Sequence, residues 1–368
     1  MYGIKDYLFT GKRLVNNTLR PGHKKLSTLM LYATDLCDSR CLHCHIWEKR
    51  PKQHLSYDEI LSLMNSKCVT KNTTVGMEGG EFLLHPEADK ILQWFSKNHS
   101  KYDILANCLK PDKVIDAVHK YRPQKLYVSL DGGKETYKYM RGKDGFDGVI
   151  EVIKKCRKTV PVSLMFTLTP YNSFKDLEYV IEISKKYDTD IRIGLYNNID
   201  FFDTKDKAHQ KEVEEKIKLS DINTDFGTSI PEAVKSTSEN YDFLLLYQEW
   251  REGNLQLRCH SILDRLVIHP NGDVPICQNL NLKLGNIRKN SLDEIFNSAQ
   301  TRRIHKEYTR SCNQCWINFH RKYDIVLLRS AEKLLPKSII ELSYGKYQWC
   351  NDKKMSYKGY LNSKTERC

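Results

Sequence analysis

The chain has 368 residues, 40% of them hydrophobic, with a mean hydropathy of −0.58, a size that suits one large α/β domain plus a smaller one. No apolar run approaches the roughly 18 residues of a membrane helix, and the opening "MYGIKDYLFTGKRLVNN" lacks an apolar signal core and a small-residue cleavage site, so a cytosolic protein is expected. The formal net charge of +13 permits a nucleic-acid or anionic-membrane partner, but the basic residues are spread among acids, which favours a lysine-rich solvated surface and leaves an anionic substrate open.

After an N-terminal extension (1–27), short apolar strands alternate with amphipathic helices. "TLMLYATDL" predicts a strand. "SYDEILSLMNS" predicts a helix capped by Ser56 or Asp58. Strands follow at "TTVGMEGG", "YDILANCL", "KLYVSLDG", "PVSLMFTLT" and "DIRIGLYN". Helices fall between them at "PEADKILQWFSKN", "KPDKVIDAVHKY", "FDGVIEVIKKCRK" and "FKDLEYVIEISKKY". Successive βα units imply a parallel sheet with helices outside, curled into a partial (β/α)6 TIM-like barrel over 28–197. In such folds the chemistry sits at the C-terminal ends of the strands. Residues 198–254 break the rhythm and read as a connector or insertion, with "SIPEAVKSTSENYD" as a loop. A small cysteine-bearing domain is expected over 255–319 and a basic tail over 320–368.

Clustered cysteines in a reducing compartment point to metal or catalysis rather than disulfides. Of twelve cysteines, three lie in "CDSRCLHC", just past the first strand: Cys37, Cys41 and Cys44. On spacing alone, three arrangements fit them. One is a [4Fe–4S] cube with one iron left open, one a zinc site completed by His43 or His45, and one a redox-active thiol group. A second set is Cys259 and Cys277, flanking the turn signal Asn271-Gly272, with Cys312 and Cys315 in "SCNQCW". By itself this set fits a zinc ribbon or a cluster. Cys68, Cys108 and Cys156 stand alone and read as buried small hydrophobes.

The Cx3CxxC loop after the first strand resembles the signature of the radical S-adenosylmethionine (SAM) superfamily. "GMEGGEFLLHP" is similar to that family's GGEP motif at Gly79, Gly80 and Glu81, with Phe82 in place of the proline. "VSLDGGKETYKYMRG" is similar to its SLDG and RG elements at Ser129, Asp131 and Arg141. The resemblance implies that Cys37, Cys41 and Cys44 hold a [4Fe–4S] cluster whose open iron binds SAM. It implies that Gly79, Gly80, Glu81, Ser129, Asp131 and Arg141 surround SAM, with His43 near the adenine. Cys259, Gly272, Cys277, "LGNIRKNSLDEIF" and the CxxC resemble SPASM and twitch extensions. The shorter twitch form implies one auxiliary [4Fe–4S] cluster on Cys259, Cys277, Cys312 and Cys315. Cys350 and Cys368 have no assigned role, and no catalytic residue is identified.

The resemblance implies reductive cleavage of SAM to a 5′-deoxyadenosyl radical, fed by an electron donor such as flavodoxin or ferredoxin, and hydrogen abstraction from a substrate. With only about 27 residues before the first strand, a built-in peptide-recognition domain is not expected. A small-molecule or glycan-type substrate is favoured, with dehydrogenation or a related oxidation as the reaction. The alternative is maturation of a ribosomally made peptide or protein by crosslinking or epimerisation. A distant alternative is a zinc-stabilised, basic nucleic-acid-binding protein; no nucleic-acid partner is otherwise expected. The stretch from Asp324 to Trp349 is amphipathic and reads mainly as a helix packed on the barrel, with membrane contact as a minority reading.

Overall fold

The computed structural model describes residues 4–196, 238–251, 257–280 and 282–325, with four more residues between 335 and 339. Seven parallel strands form one curled half-barrel sheet in the order β6–β5–β4–β3–β2–β1–β7. They are β1 (Thr28–Thr34), β2 (Thr74–Gly79), β3 (Tyr102–Ala106), β4 (Lys125–Ser129), β5 (Val162–Leu168), β6 (Asp190–Leu195) and β7 (Arg265–Ile268). The helices are α1 (Ile4–Leu19), α2 (Tyr57–Met64), α3 (Ala88–Asn98), α4 (Pro111–Tyr121), α5 (Lys134–Arg141), α6 (Phe146–Cys156), α7 (Phe174–Tyr187), α8 (Ser238–Arg251), α9 (Leu292–Asn297) and α10 (Ala299–Ser311). The expected partial barrel is present, and local chemistry explains its elements. Ser56 and Glu59 make a reciprocal capping box that starts α2, and Ser173 with Asp176 does the same for α7. Pro111 occupies the first turn of α4, where its missing N–H costs nothing.

Alternation along each strand separates two environments. Leu29, Leu31, Val75, Met77, Ile104, Leu126, Val128, Leu164, Phe166 and Ile193 are buried in the main core, and so are Cys68, Cys108 and Cys156. The opposite, concave face carries Tyr32, Glu78, Asp103, Tyr127, Met165 and Arg192, a mixed polar lining. Over β1 and β7 that face is closed by a second apolar cluster in which Met30, Tyr32 and Val267 meet Cys315, Ile317 and Phe319.

Three features depart from local pattern. β7 lies in the stretch expected to belong to the small domain, yet it pairs in parallel with β1, from Thr28↔Arg265 to Leu31↔Ile268. The turn at Asn271-Gly272 forms, with Gly272 at φ +81, but the next strand, β8 (Asp273–Pro275), pairs antiparallel with β9 (Lys283–Asn286) in a separate sheet. Residues 238–242, expected in a loop, begin α8. Its "FLLLY" run lacks helical periodicity, and tertiary burial of Phe243, Leu244, Leu246 and Tyr247 supplies the stabilisation instead. Asn240 of α8 then satisfies edge strand β6, donating to the Ile191 carbonyl at 3.1 Å. The rest of the 198–254 connector, most of the 320–368 tail, Cys350 and Cys368 lie outside the described residues.

His305 in α10 is 2% exposed, sits edge-on to Phe296 at 5.8 Å, and has neither ring nitrogen partnered. Burial, aided by the Lys24 charge, pushes its pKa down to about 3 from 6.5. The folded state therefore cannot take the proton that the unfolded chain takes below about pH 6.5. Its contribution is constant above that pH and is lost as pH falls toward 3, by up to about 1.4 kcal/mol per unit. Urea unfolding from neutral to mildly acidic pH should show His305→Leu losing stability less steeply than the parent. Parallel slopes would refute this.

Candidate functional site

The cysteine loop leaves the C-terminal end of β1 and has almost no regular structure, so neighbours shape it. On one side is the end of β2. The Gly80 N–H donates to the Thr34 carbonyl and the Glu81 N–H to the Leu36 carbonyl, both at 2.7 Å. This approach explains the paired glycines. Gly79 adopts φ +137, and a Cβ there would lie 2.3 Å from the Thr34 carbonyl oxygen. A Cβ on Gly80 would meet the Leu36 oxygen at 2.2 Å and the Cys37 Cβ at 3.0 Å.

On the other side is the C-terminal end of α5. The Arg40 and Leu42 N–H groups donate to the Arg141 and Met140 carbonyls at 2.9 and 2.8 Å, and Ser39 Oγ donates to the Arg141 carbonyl at 3.2 Å. These are carbonyls that the end of a helix leaves without an internal partner. Beyond the loop, the Lys52 ammonium reaches the carbonyls of Asp35, Ile46 and Trp47 at 2.8, 2.9 and 3.1 Å.

Inside this frame, Ser39 Oγ lies 3.1 Å from Cys41 Sγ, Arg141 Nη1 3.9 Å from Cys41 Sγ, and Asn107 Nδ2 4.0 Å from Cys37 Sγ. Burial, then proximity to Cys41, raises the pKa of both other thiols, Cys44 to about 12. A metal bound here must therefore displace protons from thiols that hold them firmly.

Arg141 is buried and paired with Asp131 at 2.5 Å, and the second Asp131 oxygen accepts from the Thr167 N–H at 3.0 Å. The Asp131 carboxylate is thus engaged within the protein. The Glu81 carboxylate is engaged likewise, accepting from the Asn107 N–H at 2.7 Å and the Leu83 N–H at 3.3 Å; burial raises its pKa to about 7. Ser129 ends β4 on the concave side.

Buried atoms without a partner in this neighbourhood include Arg141 Nε, His43 Nδ1 and Trp47 Nε1. Burial pushes the His43 pKa down to about 4, keeping the ring neutral. An anionic acceptor, such as the carboxylate of SAM, would suit the unpaired guanidinium N–H.

Sequence reasoning missed Asn107. It sits at the end of β3 and joins Glu81, Asp38 and the Cys37 sulfur. Its only signal was its place at a strand C-terminus.

The second cysteine set converges on one small pocket, lined by Cys259, Cys277, Cys312, Cys315, Tyr308, His320 and Arg321 among others. The CxxC is held by α8. Trp316 stacks near Phe243 and Trp250 and donates to the Phe243 carbonyl at 2.8 Å, and Trp250 donates to the Asn313 carbonyl at 2.8 Å. A cavity with four thiols in its wall fits a cubane cluster that they would ligate. Among the described residues, no three His, Cys, Asp or Glu side chains are grouped as for a single metal ion. Gln278, next to Cys277, donates to the hydroxyl of Tyr32 in β1 at 2.6 Å, which ties the second set's neighbourhood to the strand that leads into the first.

Residues 31–183 match the Radical SAM superfamily, and residues 259–316 match SPASM, an iron-sulfur cluster-binding domain. The chain belongs to the radical SAM superfamily and carries a SPASM-type C-terminal domain. It is an enzyme class whose cofactors are SAM and [4Fe–4S] clusters.

Its relatives include a GTP 3',8-cyclase of Clostridium botulinum, 24% identical over 182 residues, 46% of this chain and 56% of that protein. The chain thus spans about half the length of that relative. The antilisterial bacteriocin subtilosin biosynthesis protein AlbA of Bacillus subtilis is 24% identical over 325 residues, 82% of this chain and 67% of AlbA. Among solved structures, Streptococcus suis SuiB bound to SAM has a TM-score of 0.54 at 14% identity, covering 83% of this chain and 74% of SuiB. AdoMet-bound anSMEcpe has a TM-score of 0.51 at 15% identity, covering 86% and 99%. Both share the fold.

Gly80→Ala should push the Cys37 segment out of place while the barrel stays folded. Anaerobic reconstitution should then lose about four irons per chain, with the far-ultraviolet circular dichroism unchanged. Full iron loading would show that the loop tolerates the Cβ.

Proposed function

We propose that this chain is a radical SAM maturase of a peptide or protein substrate, with crosslinking or epimerisation as the outcome. The observation that carries the reading is the reach of the AlbA match. It extends over 82% of the chain, whereas the cyclase match covers 46%. Solved structures of the same fold include SuiB bound to its precursor peptide SuiA, at a TM-score of 0.53. The small-molecule or glycan substrate favoured by sequence alone has weaker support.

With cluster and SAM bound and one electron from an external donor, the site would supply radical chemistry that removes a hydrogen atom from substrate. The chain's own part is to hold and screen. Cys37, Cys41 and Cys44 would ligate the SAM cluster. Arg141, braced by Asp131, would offer Nε to the carboxylate of SAM, and Asn107 would donate toward the Cys37 sulfur. Cys259, Cys277, Cys312 and Cys315 would hold the auxiliary cluster.

The concave face offers a polar seat for substrate between the two sets. Burial raises the Glu78 and Asp103 pKa values to about 7, so these carboxyls sit near the point of switching between acceptor and donor. Arg192 is fixed there by Asn318 at 2.6 Å. A small external electron donor such as flavodoxin or ferredoxin completes the reading.

The test is iron and sulfide content after anaerobic reconstitution, with Cys37, Cys41 and Cys44 changed to Ala in parallel. About eight irons in the parent and four in the variant are expected, with 5′-deoxyadenosine formed only by the parent. Cysteine-containing peptides should stimulate that turnover and aminosugars should not. Stimulation by aminosugars alone would restore the small-molecule reading, and zinc in place of iron would overturn both.

A further inference from the structure

Arg321 lies outside the segment matched to the iron-sulfur domain, yet it lines the four-cysteine cavity. It is 1% exposed. Its Nε donates to the Cys315 carbonyl at 2.9 Å, Nη1 to the Leu257 carbonyl at 2.9 Å and Nη2 to Asn313 Oδ1 at 2.7 Å. These acceptors are neutral, so geometry is satisfied and charge is not.

Asp324 is equally buried but turns one oxygen to the His260 N–H at 3.0 Å. Among the described residues no carboxylate forms an ion pair with Arg321. A guanidinium taken out of water without an opposite charge is costly. Its side chain faces the pocket that the four cysteines line. The charge that suits this cation is therefore an anion held by the cysteines themselves.

A second device points at the same sulfurs. His320, 1% exposed, accepts from the Gln278 N–H through Nε2 at 3.3 Å. That leaves the proton on Nδ1, which donates to Ser261 Oγ at 2.8 Å. The Ser261 hydroxyl is then free to donate to Cys259 Sγ, 3.4 Å away. With both ring nitrogens engaged, His320 is a relay and not a ligand.

We propose that Arg321 and the His320–Ser261 relay set the reduction potential of an auxiliary [4Fe–4S] cluster on Cys259, Cys277, Cys312 and Cys315, raising it and favouring the reduced form. Reduction adds one negative charge to an already anionic cluster. A fixed buried cation and a hydrogen bond to a ligand sulfur both stabilise that added charge, strongly so where water is excluded. The inference rests on the auxiliary-cluster assignment proposed above and not on the identity of the substrate.

The full chain with Cys37, Cys41 and Cys44 all changed to Ala isolates the auxiliary cluster. An EPR-monitored redox titration after anaerobic reconstitution reads its midpoint potential. About four irons are expected with either Arg321 or Arg321→Gln, and the Gln variant should have the lower potential. Arg321→Lys should stay closer to the parent. Equal potentials at full iron loading in the parent and in Arg321→Gln would overturn the inference. If Arg321→Gln fails to load iron, Ser261→Ala decides: a lowered potential supports the proposal and an unchanged one refutes it. A parent that binds zinc, or no iron, at these cysteines sinks the cluster assignment itself, and does so before any Arg321 variant is made.

Discussion

The cysteine loop cannot hold its own shape, and most of the site depends on the backbone hydrogen bonds that two neighbours lend it. The end of β2 donates two N–H groups to the loop's carbonyls, and the end of α5 accepts two N–H groups in return. The loop therefore completes both the sheet and the helix, and the polar groups of all three are satisfied together. Gly79 and Gly80 matter because the two backbones approach so closely that no Cβ fits between them. Their role is steric before it is chemical.

Charge follows the same economy. Arg141, Asp131, Glu81 and Asn107 form a buried polar set in which most donors and acceptors are used within the protein. What is left over includes Arg141 Nε, His43 Nδ1 and Trp47 Nε1. The structure thus separates residues that build the seat from atoms that would touch what sits in it. Asp131 and Glu81 belong by geometry to the builders.

The segment from Asn313 to Asp324 ties the molecule together. Ile317 and Phe319 close the concave face over β1 and β7. Asn318 and Asn240 satisfy the exposed edge of β6, and Arg321 and His320 wall the second cavity. Gln278, beside Cys277, is tied to Tyr32 of the strand that leads into the first cysteine loop. The small domain is accordingly not a detached module. It contributes a strand to the main sheet and a wall to the barrel's interior.

Much of this was legible in the residues alone. Period-two strands, amphipathic helices and their caps are local properties, so the βα alternation could be read directly. The cysteine spacings and the turn at Asn271-Gly272 were equally local. Other features were not. β7 is four residues long, and nothing in "RLVI" says which sheet it joins; only pairing with β1 decides that. α8 gives little amphipathic signal in its sequence, and the burial of Phe243, Leu244, Leu246 and Tyr247 decides it. Asn107, Arg321 and the His320–Ser261 relay carry no motif, since an asparagine, arginine or histidine acquires its role from what surrounds it. Local backbone preference and hydrophobic period were enough for the barrel and the cysteine-bearing loops. The partners of the buried charges and the tie between Gln278 and Tyr32 were decided by tertiary structure, because burial and long-range contact do not exist until the chain has folded.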